Sequence, residues 1–234
     1  IIEISKIKNL KRIRYTTSHP RDFTEDLIEV HKTCKKLMPL IHLPVQSGSN
    51  KVLEEMNRKH TIEEYYEIIK KLKKLKPNIK FSSDFIIGYP GETIDDFKKT
   101  VKLMNNVKFI NSYSFLFSAR PGTPSFSLPK VDHKNSKERL INFQNIAEKT
   151  LVHLGKEIYK STRSKNICLA GGVALNSVAN KKLLDNSNFK NIFVFPACSD
   201  AGISFGAALW GAFNLIKGVK KTSLSFDNAY TGKE

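Results

Sequence analysis

Short apolar runs alternate with amphipathic segments along most of this 234-residue chain, and that alternation constrains its fold more than any other feature. LIHLPVQS (40–47), IKFSSDFIIGY (79–89) and FINSYSFLFS (109–118) read as strands. Helical periods lie between and around them: DFTEDLIEVHKTCKKL (22–37), NKVLEEMN (50–57), TIEEYYEIIKKLKKL (61–75) and TIDDFKKTVKLMNN (93–106). Asp22 with Glu25, Thr61 with Glu64 and Thr93 with Asp96 have capping-box spacing, and Pro77 stops the third helix. Repeated strand–helix units imply a parallel sheet with helical crossovers, so an α/β fold. A Pro- and Gly-broken loop (120–135) then leads to an amphipathic helix over 139–159. After it the reading expects strand 166–170, a helix over 173–184, strand 191–195, an apolar helix over 201–216 and a loosely held tail.

No run of 18 apolar residues occurs, so no membrane span is expected. The chain opens Ile1-Ile2-Glu3, without Met or a signal pattern, as a piece of a longer protein would. Cys34, Cys168 and Cys198 are far apart, which argues against a disulfide framework and for a reduced, cytoplasmic setting. The net charge is +17, of which residues 1–146 carry +11 and residues 147–234 carry +6. That excess suits a nucleic-acid partner, because each neutralised phosphate releases counterions. It equally suits solvated lysine faces such as KKLKKLK (70–76).

In parallel α/β folds, ligands collect at the carboxyl ends of strands. Gln46, Ser47 and Gly48 end one strand, with Arg58 twelve residues after Gln46. Asp84 lies in the next, ahead of Gly88 and Gly91. Gln and Asp suit a diol and Arg suits a carboxylate, but each could equally cap a sheet end or decorate the surface. In the second half, Gly171 and Gly172 stand between a strand and a helix, where backbone N–H groups meet phosphates or a tight turn is needed. Asn176 follows as a hydrogen-bond donor or an exposed helical residue, and Asp200 as a helix cap or a metal ligand.

RIRYTTSHPRDFTEDLIEV, HLPVQSGSNKVLEEMNRKHT, SSDFIIGYPGET and YSFLFSARPGTP together resemble the radical S-adenosylmethionine methylthiotransferases that modify tRNA adenosine, over about residues 10–143. The resemblance implies a partial (β/α) barrel, a [4Fe–4S] cluster, S-adenosylmethionine and a 5′-deoxyadenosyl radical. It implies Gln46 and Asp84 near the ribose, Arg58 near the methionine carboxylate, Gly88 beside adenine, and Ser47 as a companion. The family's C-x-x-x-C-x-x-C is not found in these residues.

NIAEKTLVHLGKEIYKSTRSKNICLAGGVALNSVANKKLL and IFVFPACSDAGISFGAALWGAF resemble carbamoyltransferases of the nodulation and antibiotic-biosynthesis type, over about 144–217. That resemblance implies part of an actin/Hsp70-like α/β domain, ATP or carbamoyl-adenylate, a metal ion and a small hydroxyl substrate. Gly171, Gly172 and Asn176 would line the adenylate or phosphate pocket, and Asp200 would bind the metal. That family's H-x-x-x-H has no counterpart among histidines 19, 31, 42, 60, 133 and 153. The combined expectation is a chimera of two fragments, with a partial barrel over 1–134, a connecting helix holding the seam over 135–161, and a nucleotide-binding segment over 162–234. Alternatives are carbamoyl transfer alone, or a non-enzymatic remnant with a basic surface. A half barrel exposes sheet edges, so marginal stability is expected.

Overall fold

The computed structural model describes residues 1–15, 19–170, 172–195 and 198. These form two compact units, Ile1–Thr150 and a second beginning at Leu151. The first holds helices α1 (Ile2–Ser5), α2 (Glu25–Thr33), α3 (Asn50–Glu55), α4 (Ile62–Leu75) and α5 (Ile94–Val107), and strands β1 (Leu40–His42), β2 (Lys80–Ile87) and β3 (Asn111–Leu116). Helix α6 (His133–Thr162) contributes residues to both units. The second unit adds β4 (Asn166–Leu169), α7 (Ser177–Asp185) and β5 (Asn191–Val194). The described residues therefore form an α/β structure in which every strand pair is parallel, in the order β1-β2-β3 and, separately, β4-β5.

Helices α4 and α5 start where side chains satisfy free N–H groups. Thr61 with Glu64 and Thr93 with Asp96 both form complete capping boxes. Alternation along β2 sends Phe81, Ser83, Phe85 and Ile87 to the helical side. There they meet Tyr65, Leu72, Phe97, Leu103, Phe109 and, from α6, Phe143. The opposite face carries Ser82, Asp84 and Ile86, in register with Asn111, Tyr113 and Phe115 of β3, and Ser82 pairs with His42 of β1. Three adjacent parallel strands with their crossover helices are the expected partial (β/α) barrel.

Three local expectations are corrected. The segment 22–37 is not one helix, and Asp22 with Glu25 forms no capping box: Pro20–Asp22 is a 3-10 turn, Thr24 is the N-cap of α2, and α2 ends at Thr33. Lys36 and Met38 instead exchange backbone hydrogen bonds with Ile13, a non-local pairing that pulls them out of helix. Strand 40–47 is interrupted because Pro44 has no N–H to donate. The Ser83 hydroxyl patches the gap by accepting from Val45 N (3.0 Å) and donating to Leu43 O (2.9 Å). Pairing resumes where Gln46 N donates to Asp84 O (2.9 Å). Helix 173–184 is a 3-10 turn over Gly172–Leu175 followed by α7, with Asn176 as the N-cap. The expected helix over 201–216 and the tail lie outside the described residues.

Candidate functional site

Three of the sequence-predicted residues lie near one another around the middle of β2: Asp84 on the strand, Gln46 paired beside it beyond β1, and Arg58 within reach of the Asp84 charge. The Gln46 backbone pairs with β2 on both sides of Phe85, its N–H donating to Asp84 O and its carbonyl accepting from Ile86 N, each at 2.9 Å. Its φ is +74°, a left-handed conformation that costs energy in a non-glycine residue and concentrates at ligand sites. Asp84 is partly exposed, and its carboxylate lies 3.5 Å from His42 Nε2. His42 Nδ1 lies 3.0 Å from Ser82 Oγ, and its ring meets Tyr113 edge-on at 6.1 Å. Asn111 donates to Tyr113 Oη at 3.3 Å, completing a polar inner face beside the half-exposed Phe115.

Arg58 arrives by a chain reversal. Asn57 takes the left-handed conformation (φ +56°) after α3, and Arg58 N donates to Leu53 O at 2.8 Å. This turns the guanidinium to the Pro44 carbonyl, 3.4 Å from Nη2. Burial lowers the Arg58 pKa, and the Asp84 charge opposes that shift. Its Nε is buried without a partner. A cleft of about 360 Å³ lies on the α3–α4 side of Arg58, lined by residues that include Glu54, Arg58, Lys59, His60 and Glu64 but neither Gln46 nor Asp84.

Gly88 has φ +75°, and a Cβ there would stand 2.6 Å from Ser136 Oγ of α6. Its N–H donates to Glu92 Oε2 (3.0 Å), which also accepts from Arg139 Nη1 (2.8 Å). Burial raises the Glu92 pKa, while Arg139 and the Gly88 N–H act against it. Ser47 turns away from the other three. It is buried against α5, with its hydroxyl 3.4 Å from Thr100 Oγ1 and accepting from Ser49 N (3.2 Å). In the second unit Asn176 Oδ1 caps α7 by accepting from Ala179 N (3.0 Å), and Gly172 opens the turn after β4. Gly171 and Asp200 lie outside the described residues.

Sequence reading missed His42, His60, Glu92, Tyr113 and Arg139. Period-two alternation through Asp84 could have flagged the inner face that His42 and Tyr113 share. Nothing local marks Glu92 and Arg139, which are 47 positions apart.

Within these residues no thiolate set fits an iron–sulfur cluster. Cys34 packs in a small apolar cluster with Ile13 and Leu37, whereas Cys168 is exposed on β4. Among the described residues no group of three His, Cys, Asp or Glu side chains is placed to hold a metal. No helix among them is long and apolar enough to cross a membrane.

His31 and His60 are both buried and have pKa values lowered to about 4. For His31 the causes are desolvation and then Lys76; for His60 they are desolvation and then His19 and Arg58. Both lie below their unfolded value of 6.5, so the unfolded chain binds more protons as pH falls. Stability should decline from pH 6.5 down to about 4, by at most about 1.4 kcal/mol per pH unit for each imidazole. Urea midpoints measured across that window check this, and a flat profile would refute it.

The carbamoyltransferase N-terminus family matches residues 60–209, and the radical SAM superfamily matches residues 1–104. A tRNA-2-methylthio-N(6)-dimethylallyladenosine synthase from Pelagibacter ubique is 64% identical over 140 residues, covering 60% of this chain and 31% of the relative. The synthase of the same name from the Wolbachia of Brugia malayi is 52% identical over 163 residues, covering 69% of this chain and 37% of the relative. The chain thus spans about a third of the length of these curated relatives. Coproporphyrinogen III oxidase from Escherichia coli, a radical SAM enzyme, is a structural neighbour at TM-score 0.47 and 14% identity, covering 56% of this chain and 31% of the other. By the longer match the chain belongs to the carbamoyltransferase N-terminus family, and its first part is similar to the radical SAM superfamily.

Proposed function

We propose that the first unit is the S-adenosylmethionine-binding part of a radical SAM tRNA methylthiotransferase, joined to part of a carbamoyltransferase. The observation that carries this reading is the proximity of Gln46 and Arg58 to Asp84 on β2. Asp84 and Gln46 supply acceptors for a ribose diol, and Arg58 supplies a donor for a carboxylate. Gly88, with its side-chain position taken by Ser136 of α6, keeps the chain close to the end of β2, where adenine is placed in this reading. The partner in this reading is tRNA, and the setting is cytoplasmic. The chemical step of such enzymes draws on a cluster whose thiolates these residues do not supply, so binding is the activity assigned to this unit.

Isothermal titration of the full chain with S-adenosylmethionine tests the reading. Asp84→Asn should weaken binding about tenfold, the worth of a hydrogen bond to a charged acceptor. Absence of binding by the unaltered chain would overturn it.

The family match over residues 60–209 favours a second reading for the other unit, adenylate or ATP binding with a metal ion, ahead of carbamoyl transfer to a hydroxyl. The turn at Gly172 after β4 is where a phosphate would approach. Long sequencing reads of the source DNA across codons 135–150 test the junction itself. Reads that fail to span it would remove the fusion and leave two separate parents.

A further inference from the structure

The α3–α4 corner holds more buried donors than the protein satisfies. His60 is 6% exposed, yet neither ring nitrogen has a hydrogen-bond partner. Arg58 Nε, on the same cleft, is also buried and unpartnered. Each unmet buried polar group costs about 1–3 kcal/mol, so three at one place need an explanation. Packing does not provide it: His60 meets the His19 ring edge-on at 5.0 Å and the Tyr65 ring at 6.4 Å, and neither contact takes a nitrogen. Arg58 spends one Nη on the Pro44 carbonyl, and at 3.4 Å that bond is long.

We propose that Arg58 and His60, with His19 beside them, form a binding pocket for a single carboxylate group. Arg58 offers Nε and the remaining Nη donors, and His60 offers one N–H in its neutral form or two when protonated. The charges that line the cleft select the ligand class. Arg58 and Lys59 are balanced by Glu54 and Glu64, so net charge does not draw in a multiply charged anion. Glu64 is further held by Thr61 N at 2.7 Å. A monoanion recognised by directed donors fits this lining, and a phosphate dianion does not. The carboxylate of an α-amino acid is the matching chemistry. The proposal rests on the reading that Arg58 receives the methionine end of S-adenosylmethionine, and it adds His60 as a second donor to that end. With the carboxylate in place, His60 would gain a counter-charge and retain its proton to higher pH.

The test is nitrogen-15 NMR of the full chain labelled at histidine, with S-adenosylmethionine, L-methionine and inorganic phosphate as separate probes. S-adenosylmethionine and methionine are expected to shift the His60 ring nitrogens, and phosphate to shift them less. His60→Phe keeps a ring against His19 and Tyr65 but removes both ring nitrogens, and should weaken S-adenosylmethionine binding about tenfold. A thermal melt of this variant shows that it folds, and His60→Gln, which restores a donor, should recover part of the affinity. If Arg58→Gln abolishes binding of S-adenosylmethionine while His60→Phe leaves it unchanged and the His60 nitrogens do not move, the inference falls and the functional reading stands. If methionine moves His60 but S-adenosylmethionine does not bind, the inference stands and the functional reading falls. If no probe binds, or phosphate moves His60 most, the carboxylate pocket is refuted.

Discussion

Arg139→Met is expected to destabilise the first unit by about 3–5 kcal/mol, the cost of leaving one partner of a buried ion pair uncompensated. The Glu92 side chain has no solvent exposure and Arg139 has 13%. Arg139 Nη1 donates both to that carboxylate (2.8 Å) and to the Glu92 carbonyl (3.0 Å). Without Arg139, the carboxylate keeps only the Gly88 N–H, and its second oxygen already lacks a partner. The effect should depend on pH in a defined direction. Removing the cation raises the folded-state pKa of Glu92 further above its unfolded value of 4.5. The protonated acid is then the form the fold tolerates, so the penalty is small near pH 4.5 and grows as pH rises. Hydrogen exchange of the β2 amides at pH 5 and pH 7.5 reads this locally. Adding Glu92→Met to Arg139→Met should restore much of the loss, because two apolar groups replace a buried pair. A loss below about 1 kcal/mol in the single variant would show that Glu92 reaches water when Arg139 is gone.

Phe143→Ala should cost about 3–5 kcal/mol, the range for deleting a fully buried aromatic ring. The Phe143 ring has no solvent exposure and sits 4.7 Å from the Phe85 ring. Phe85 in turn packs edge-on against Phe109 at 5.6 Å. Phe143→Leu fills most of the space and should cost less than half as much. Exchange protection of β2 and β3 amides distinguishes the two variants. Equal protection in the unaltered chain and Phe143→Ala would mean that α6 does not belong to the core of the first unit. That result would bear on the junction expected within 135–161, the segment that holds Phe143.

Legibility in the sequence tracked how local the determining interaction is. The capping boxes at Thr61–Glu64 and Thr93–Asp96 span three residues each, and both were readable as written. The parallel order of β1, β2 and β3 followed from the helices between them. Residues 34–37 were misread because the backbone at Lys36 and Met38 is claimed by Ile13, more than twenty positions away. Strand 40–47 was read straight through Pro44, so neither the break nor its repair by the Ser83 hydroxyl was foreseen. At the site, Gln46 and Arg58 come near Asp84 because Gln46 pairs beside it on β2 and Arg58 lies within reach of its charge. Ser47 leaves them because Gly48 lets α5 approach: a Cβ at Gly48 would stand 2.5 Å from Thr100 Cα. Glu92 and Arg139 had no readable signal, since a Glu after Gly91 looks like an ordinary helix start.

The contact between Phe143 and Phe85 also sets an order of events during synthesis. Both outer strands reach β2 through helical crossovers, so the sheet can assemble once β3 has left the ribosome. One part of its helical side stays open until α6 follows. At about 5–20 residues per second, the chain waits several seconds between making Phe85 and making Phe143. During that interval an aromatic surface that ends with no exposure faces water, or whatever chaperone binds the nascent chain. The residue that ends this exposure, Phe143, comes only within α6. A translation product stopped just short of it would be released with its sheet uncovered.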